Sequence, residues 1–130
     1  MKRIIITLIS ITLLTGCSFA NFRQEQMEDI RITAMEAYRK MQEASEVVVL
    51  DVRTPQEFAD IRIDGALLIP DYDLVTQVKE EIQDMDVLIL IYCRTGRRSA
   101  ISARELIEMG FTNVYDFGGI VDWPFETVRD

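Results

Sequence analysis

Histidine is absent from all 130 residues. That excludes Ser-His-Asp and Cys-His catalysis and removes the usual zinc sites. Cysteine is nearly absent: only Cys17 and Cys93 are present, with no Cys-x-x-Cys pair. A self-contained dithiol oxidoreductase is therefore not expected. Positive charge is scarce as well, with 14 Lys and Arg against 22 Asp and Glu and a net charge of −8. A body this acidic has no general affinity for nucleic acid or anionic lipid surfaces. No repeat or low-complexity tract is present, and the length suits one domain rather than two.

The first residues belong to something other than that domain. Lys2 and Arg3 precede an apolar stretch from Ile4 to Leu14, and Leu14-Thr15-Gly16-Cys17 follows. A charged start, a short apolar core and small residues form a secretory signal. Its last four residues resemble the lipobox of bacterial lipoproteins. That resemblance implies cleavage after residue 16 and lipidation of Cys17, with acyl chains supplying the membrane attachment. The alternative is an uncleaved anchor, but the apolar stretch is short of the roughly 20 residues a span needs. Removing Lys2 and Arg3 takes the net charge from −8 to −10. The expected organisation is a signal over residues 1–16, a lipidated polar tether over 17–29 and a folded domain over 30–130. With Cys17 lipidated, Cys93 is left as a lone thiol in an exported chain, which points to a reactive cysteine or an intermolecular partner.

Within the domain, strand and helix patterns alternate. Thr33 with Glu36 forms a capping box before a helical pattern over residues 34–43. Val47-Val48-Val49-Leu50 is a continuous apolar run, as in a strand covered on both faces. Thr54 with Glu57 is a second capping box, with Pro55 at the first helical position. A short strand over residues 66–69 stops at Pro70, and residues 71–83 read as helix. Val87 to Ile91 is the most apolar strand and is expected to be central. Residues 99–109 read as helix, with Gly110 as a left-handed stop. Val114-Tyr115-Asp116 is a last strand, after which Gly118-Gly119 turns the chain. The order argues for an α/β domain with a mainly parallel sheet. Ligands gather at the carboxyl ends of such strands, where Asp51 and Cys93 both fall.

The chemistry concentrates in Cys93-Arg94-Thr95-Gly96-Arg97-Arg98-Ser99, where an acidic chain places three arginines in five residues. Positive charge favours the thiolate, the reactive form of cysteine. A following helix start adds partial positive charge and free N–H groups. Gly96 lets the backbone curl so that N–H groups can turn inward around an anion. The plain alternative is a buried structural cysteine beside a solvated basic turn.

This loop resembles the active-site loop of single-domain rhodaneses, the thiosulfate sulfurtransferase family. Leu50-Asp51-Val52-Arg53-Thr54-Pro55-Gln56-Glu57-Phe58 is similar to the family's Asp-Val-Arg…Glu-Phe motif. Asp64-Gly65-Ala66-Leu67-Leu68-Ile69-Pro70 is similar to its Gly-Ala…Ile-Pro segment, and Asp116-Phe117-Gly118-Gly119 with Trp123 to its carboxyl-terminal signature. The resemblance covers about residues 32–123 and implies a rhodanese-like domain with a parallel five-stranded sheet between helices. It implies that Cys93 accepts sulfur as a persulfide and that the backbone from Arg94 through Thr95, Gly96, Arg97 and Arg98 to Ser99 binds the substrate. Asp51 and Arg53 are architectural in the family, and Phe58, Phe117 and Trp123 read as core. The implied partners are a small anionic sulfur donor and a thiol acceptor, with no metal or organic cofactor. Where the family often has Gly-His-Ile, this chain has Ile61-Arg62-Ile63, and Arg62 would add charge near the pocket.

Two other functions fit parts of the pattern. Related phosphatases use a Cys-x5-Arg loop, but that place here is Ser99 and Arg98 falls one residue short, so the loop suits a sulfur atom better than a phosphate. A lone thiol in an oxidising setting could instead serve a redox-sensing or partner-docking module.

Overall fold

The computed structural model describes residues 30–130. The signal, Cys17 and the tether of residues 17–29 lie outside the described residues.

Helix α1 (Ala34–Glu43) starts on the expected capping box: the Glu36 N–H donates to Thr33 Oγ1 at 3.2 Å, and the Thr33 N–H donates to Glu36 Oε2 at 2.8 Å. Strand β1 (Val47–Asp51) leads to α2 (Pro55–Asp60), capped in the same way by Thr54 and Glu57. Strand β2 (Leu67–Leu68) is short. Residues 71–83 do not form the single helix expected. A 3-10 turn (Asp71–Asp73) comes first, then α3 (Leu74–Glu81). The turn is set by long-range geometry: the Asp71 N–H donates to Val52 O at 3.0 Å and the Asp73 N–H to Pro70 O at 2.9 Å.

Strand β3 (Leu88–Cys93) lies at the centre and extends to the cysteine itself. Helix α4 (Arg97–Glu108) starts two residues earlier than expected, because Gly96 at φ +99° serves as its N-cap. Gly110, at φ +103°, ends that helix as expected. Strand β4 (Val114–Gly119) continues through the two glycines, which do not turn the chain. A 3-10 turn (Ile120–Asp122) follows.

The sheet order is β2-β1-β3-β4, with every neighbouring pair parallel. The sheet has four strands among the described residues, where the resemblance implies five. An isolated parallel bridge from Arg31 to Asp116 continues the sheet beyond β4 by a single residue. Between β3 and β4 the register slips: Ile91 pairs with Asp116, but Cys93 pairs with Gly119. Such a bulge re-aims a strand end.

Alternation along β3 divides the core. Ile89, Ile91 and Cys93 pack with Leu74, Val78, Ala103 and Leu106 under α3 and α4. Leu90 and Tyr92 face Ala37 of α1 and Phe117, with Trp123 packed at their margin. Each fully buried Leu or Ile stabilises the fold by about 1.5–3 kcal/mol. Phe117 is thus core, as expected, and Phe58 lies under the Arg62 guanidinium at 4.8 Å. Arg62, expected to add charge near the pocket, takes none of its partners from the Cys93 loop. It pairs with Asp130 at 2.8 Å, donates to Phe58 O and forms an antiparallel bridge with Val128.

Candidate active site

Cys93 ends the central strand on the α4 side of the sheet and is buried. Its Sγ accepts the Gly96 N–H at 3.0 Å. Only a left-handed residue can close this turn, and Gly96 supplies it without strain. The loop is clamped from the other side by β4. A Cβ at Gly119 would run into the Arg94 carbonyl oxygen and lie 2.7 Å from Thr95 Cα. The Val121 N–H donates to the same Arg94 carbonyl at 3.3 Å. Gly119 was legible only as part of the family signature; its contact with the loop had no local signal.

Burial pushes the Cys93 thiol up, but hydrogen bonding outweighs it and the pKa lies below the ordinary thiol value. The lowering comes from the Ser99 N–H and hydroxyl and the Gly96 and Thr95 N–H groups, of which the Gly96 N–H makes the close contact at 3.0 Å. Ser99 Oγ also lies 3.2 Å from Gly96 O and 3.3 Å from Gly118 O. Its single proton serves one acceptor at a time, so the backbone N–H groups are the constant part of the cradle.

The three loop arginines divide. Arg98 makes a two-pronged pair with Glu57, Nη2 to Oε1 at 2.8 Å and Nη1 to Oε2 at 2.9 Å. It ties the loop helix to α2 and is not turned freely toward an anion. Arg94 and Arg97 are exposed, as is Thr95. Glu57 is the residue whose role the sequence half hides. It reads as a capping residue, and it does cap Thr54, but it also anchors Arg98.

The Arg98 guanidinium holds the Glu57 carboxyl far below its ordinary 4.5, at about 2, against the effect of burial. A carboxylate with a depressed folded pKa stabilises the fold above its unfolded pKa, and that contribution is lost as pH falls through the folded value. Glu57→Gln is therefore expected to lower stability at neutral pH and to flatten the stability loss between about pH 4.5 and 2. Urea unfolding across that range checks this; an unchanged slope would contradict the pair's contribution.

Beneath the site, Asp51 and Arg53 form a fully buried pair, at 0 % and 2 % exposure. Arg53 Nη2 meets Asp51 Oδ2 at 2.6 Å and donates to Ile61 O at 2.6 Å. The Arg53 backbone N–H also donates to Asp51 Oδ1 at 2.9 Å. The guanidinium stands 5.5 Å from the ring centre of Tyr92, the neighbour of Cys93. These residues brace the strand ends and do not line the sulfur cradle.

Among the described residues, no group of three or more His, Cys, Asp or Glu could hold a metal. A cleft of about 660 Å³ between Tyr38, Ile63 and Trp123 lies on the α1 side and is lined by no loop residue. The arrangement at Cys93 suits a nucleophilic thiolate able to pass through an anionic sulfur adduct.

Comparison with known proteins agrees with this geometry. Residues 34–124 match the rhodanese-like domain, and residues 1–18 match the prokaryotic membrane lipoprotein lipid attachment site. The chain is 32% identical to the thiosulfate sulfurtransferase PspE of Escherichia coli, over 62% of this chain and 77% of that one. It is 33% identical to the thiosulfate sulfurtransferase GlpE of Pseudomonas entomophila, over 66% and 82%. Among solved structures, a rhodanese from E. coli with anions superposes with a TM-score of 0.61 at 28% identity, covering 65% of this chain and 99% of that one. A rhodanese-like domain protein from Staphylococcus aureus gives 0.64 at 29%, covering 77% and 97%. The parallel sheet, the strand-end cysteine and these matches carry one conclusion: the chain belongs to the rhodanese-like family.

Proposed function

We propose that this chain is a lipid-anchored sulfurtransferase that carries sulfane sulfur on Cys93. The observation that carries the reading is the Cys93 sulfur at a strand end, held by the Gly96 N–H inside a loop of inward N–H groups. The backbone of residues Arg94 to Ser99 binds the substrate sulfur and its charge.

In the first half-reaction the Cys93 thiolate attacks the outer sulfur of thiosulfate. A Cys93 S–S bond forms, the bond to the sulfonate sulfur breaks, and sulfite leaves with the electron pair. In the second, an acceptor thiolate or cyanide attacks the terminal sulfur and the Cys93 thiolate is released. Atoms and electrons balance without metal, cofactor or external oxidant. The cradle that stabilises the thiolate also stabilises the terminal sulfur anion of the persulfide. Exposed Arg94 and Arg97 draw in the anionic donor on an otherwise acidic body. Lipid on Cys17 places the domain at the extracytoplasmic face of a membrane.

Initial rates of thiocyanate formation, with thiosulfate and cyanide varied together, test the reading. Double displacement predicts parallel lines in the double-reciprocal plot. Intersecting lines, or no thiocyanate from several donors, would refute it.

A further inference from the structure

We propose that Arg31 is a positioning residue for the Cys93 loop: its guanidinium closes the contact between loop and β4 and balances the buried Asp116 carboxylate beside it. Its consequence for turnover rests on the sulfur-transfer reading above; its effect on the thiol does not.

Arg31 belongs to none of the motifs in the sequence. It reaches the site through the isolated bridge at the sheet edge. The Asp116 N–H donates to Ile30 O at 2.9 Å, and the Ile32 N–H donates to Asp116 O at 3.0 Å, which fixes the Arg31 backbone beside β4. The side chain then lies over two glycines. A Cβ at Gly96 would stand 3.4 Å from Arg31 Nη2 and 3.2 Å from Gly118 Cα; one at Gly118 would stand 3.1 Å from the same Arg31 nitrogen. Loop, strand end and guanidinium thus meet in one close contact. Gly96 is the residue whose N–H holds the Cys93 sulfur.

Asp116 completes the arrangement. Its Oδ1 accepts the Gly118 N–H at 2.9 Å, and its Oδ2 faces Arg31 Nη1 at 3.5 Å. The carboxylate is only 3% exposed, whereas Arg31 is 56% exposed. Among the described residues, Arg31 is the cation paired with Asp116. Removing it leaves a buried negative charge next to Gly118, whose carbonyl lies within reach of the Ser99 hydroxyl. A like charge disfavours the thiolate. The other charged groups around the loop are disposed otherwise. Arg94 and Arg97 are exposed, Arg98 is held by Glu57 of α2 with Asp71 of the 3-10 turn acting on it, and Asp51 at the end of β1 is held by Arg53. Arg104 of α4 lines the same small cleft as Arg31 and Asp116 but is exposed, and the ion pair of Asp116 is to Arg31, so none of these groups takes the place of Arg31 at Asp116.

The test compares wild type with Arg31→Ala, Arg31→Lys and the double variant Arg31→Ala/Asp116→Asn, each as the full chain in detergent. The rate of iodoacetamide capture at Cys93 is followed against pH by mass spectrometry of the Cys93 peptide. Arg31→Ala is expected to move the midpoint up by roughly 0.5–1 unit, slowing capture at pH values below both midpoints about three- to tenfold. Arg31→Lys keeps the charge and is expected to restore most of that shift. The double variant removes the unbalanced carboxylate while keeping an oxygen for Gly118, and is expected to recover at least half of it. Thermal stability is expected to fall in Arg31→Ala, by less than when a fully buried pair is broken, because Asp116 keeps the Gly118 N–H and Arg31 is itself 56% exposed, and to be regained in the double variant. An Arg31→Ala profile that overlays wild type would overturn the assignment, as would a double variant no better than the single one. Absence of thiocyanate from wild type and every variant alike, with the pH shift intact, would refute sulfur transfer and uphold Arg31.

Discussion

Cys93→Ser is expected to abolish sulfur transfer, with turnover down by at least about a thousandfold and no sulfur retained on the chain. A serine hydroxyl stays protonated at neutral pH and forms no S–S bond, so neither half-reaction has a nucleophile. The substitution is nearly isosteric, and the serine oxygen can still accept the Gly96 N–H that now meets Cys93 Sγ. The fold should therefore persist, with a melting temperature within a few degrees of wild type, on the order of the shift that a 1 kcal/mol change produces. The check pairs thiocyanate assay with thermal unfolding of the same preparation. Residual turnover above about a tenth of wild type would remove Cys93 from the centre of the reaction.

The second large effect is on stability. Asp51→Ala leaves the Arg53 guanidinium buried at 2% exposure without its carboxylate. Breaking such a pair from one side costs about 3–5 kcal/mol. That is a large share of the 5–15 kcal/mol that holds a domain together. For a domain of this size the melting temperature is expected to fall by on the order of 20 °C. Replacing both partners with apolar residues, Asp51→Leu with Arg53→Met, is expected to recover much of the loss, since the cost lies mainly in the orphaned charge. Recovery will be incomplete, because Ile61 O also loses its guanidinium donor. A loss below about 1 kcal/mol in Asp51→Ala would show that the pair is not the brace its burial implies.

Much of the fold was legible because its signals are local. Both capping boxes close over three residues, and both are formed as expected. The apolar runs at Val47 and Leu88 became the central parallel strands. The Cys93 loop combines residues adjacent in the chain, so its cysteine, glycine and arginines could be picked out directly as a candidate site. What stayed hidden depends on partners far apart in sequence. Arg31 and Asp116 are separated by 85 positions, and Arg98 and Glu57 by 41. Nothing near Arg98 says that it will be drawn to α2 and away from an incoming anion. The early start of α4 follows from Gly96 acting as a cap, which composition alone does not show. The break in the expected helix over residues 71–83 has the same kind of cause. Asp71 is tied to Val52, a contact made only once β1 is in place.

The measurement that bears most directly on the account is the mass of the purified full chain after incubation with thiosulfate, with the adduct located by peptide mapping. Sulfur carriage on Cys93 predicts a gain of one sulfur, about 32 Da, on that residue, removed by cyanide and absent from Cys93→Ser. No gain from thiosulfate or from an organic persulfide, with Cys93 still a free thiol, would contradict it and leave the loop as a thiol sensor or docking surface.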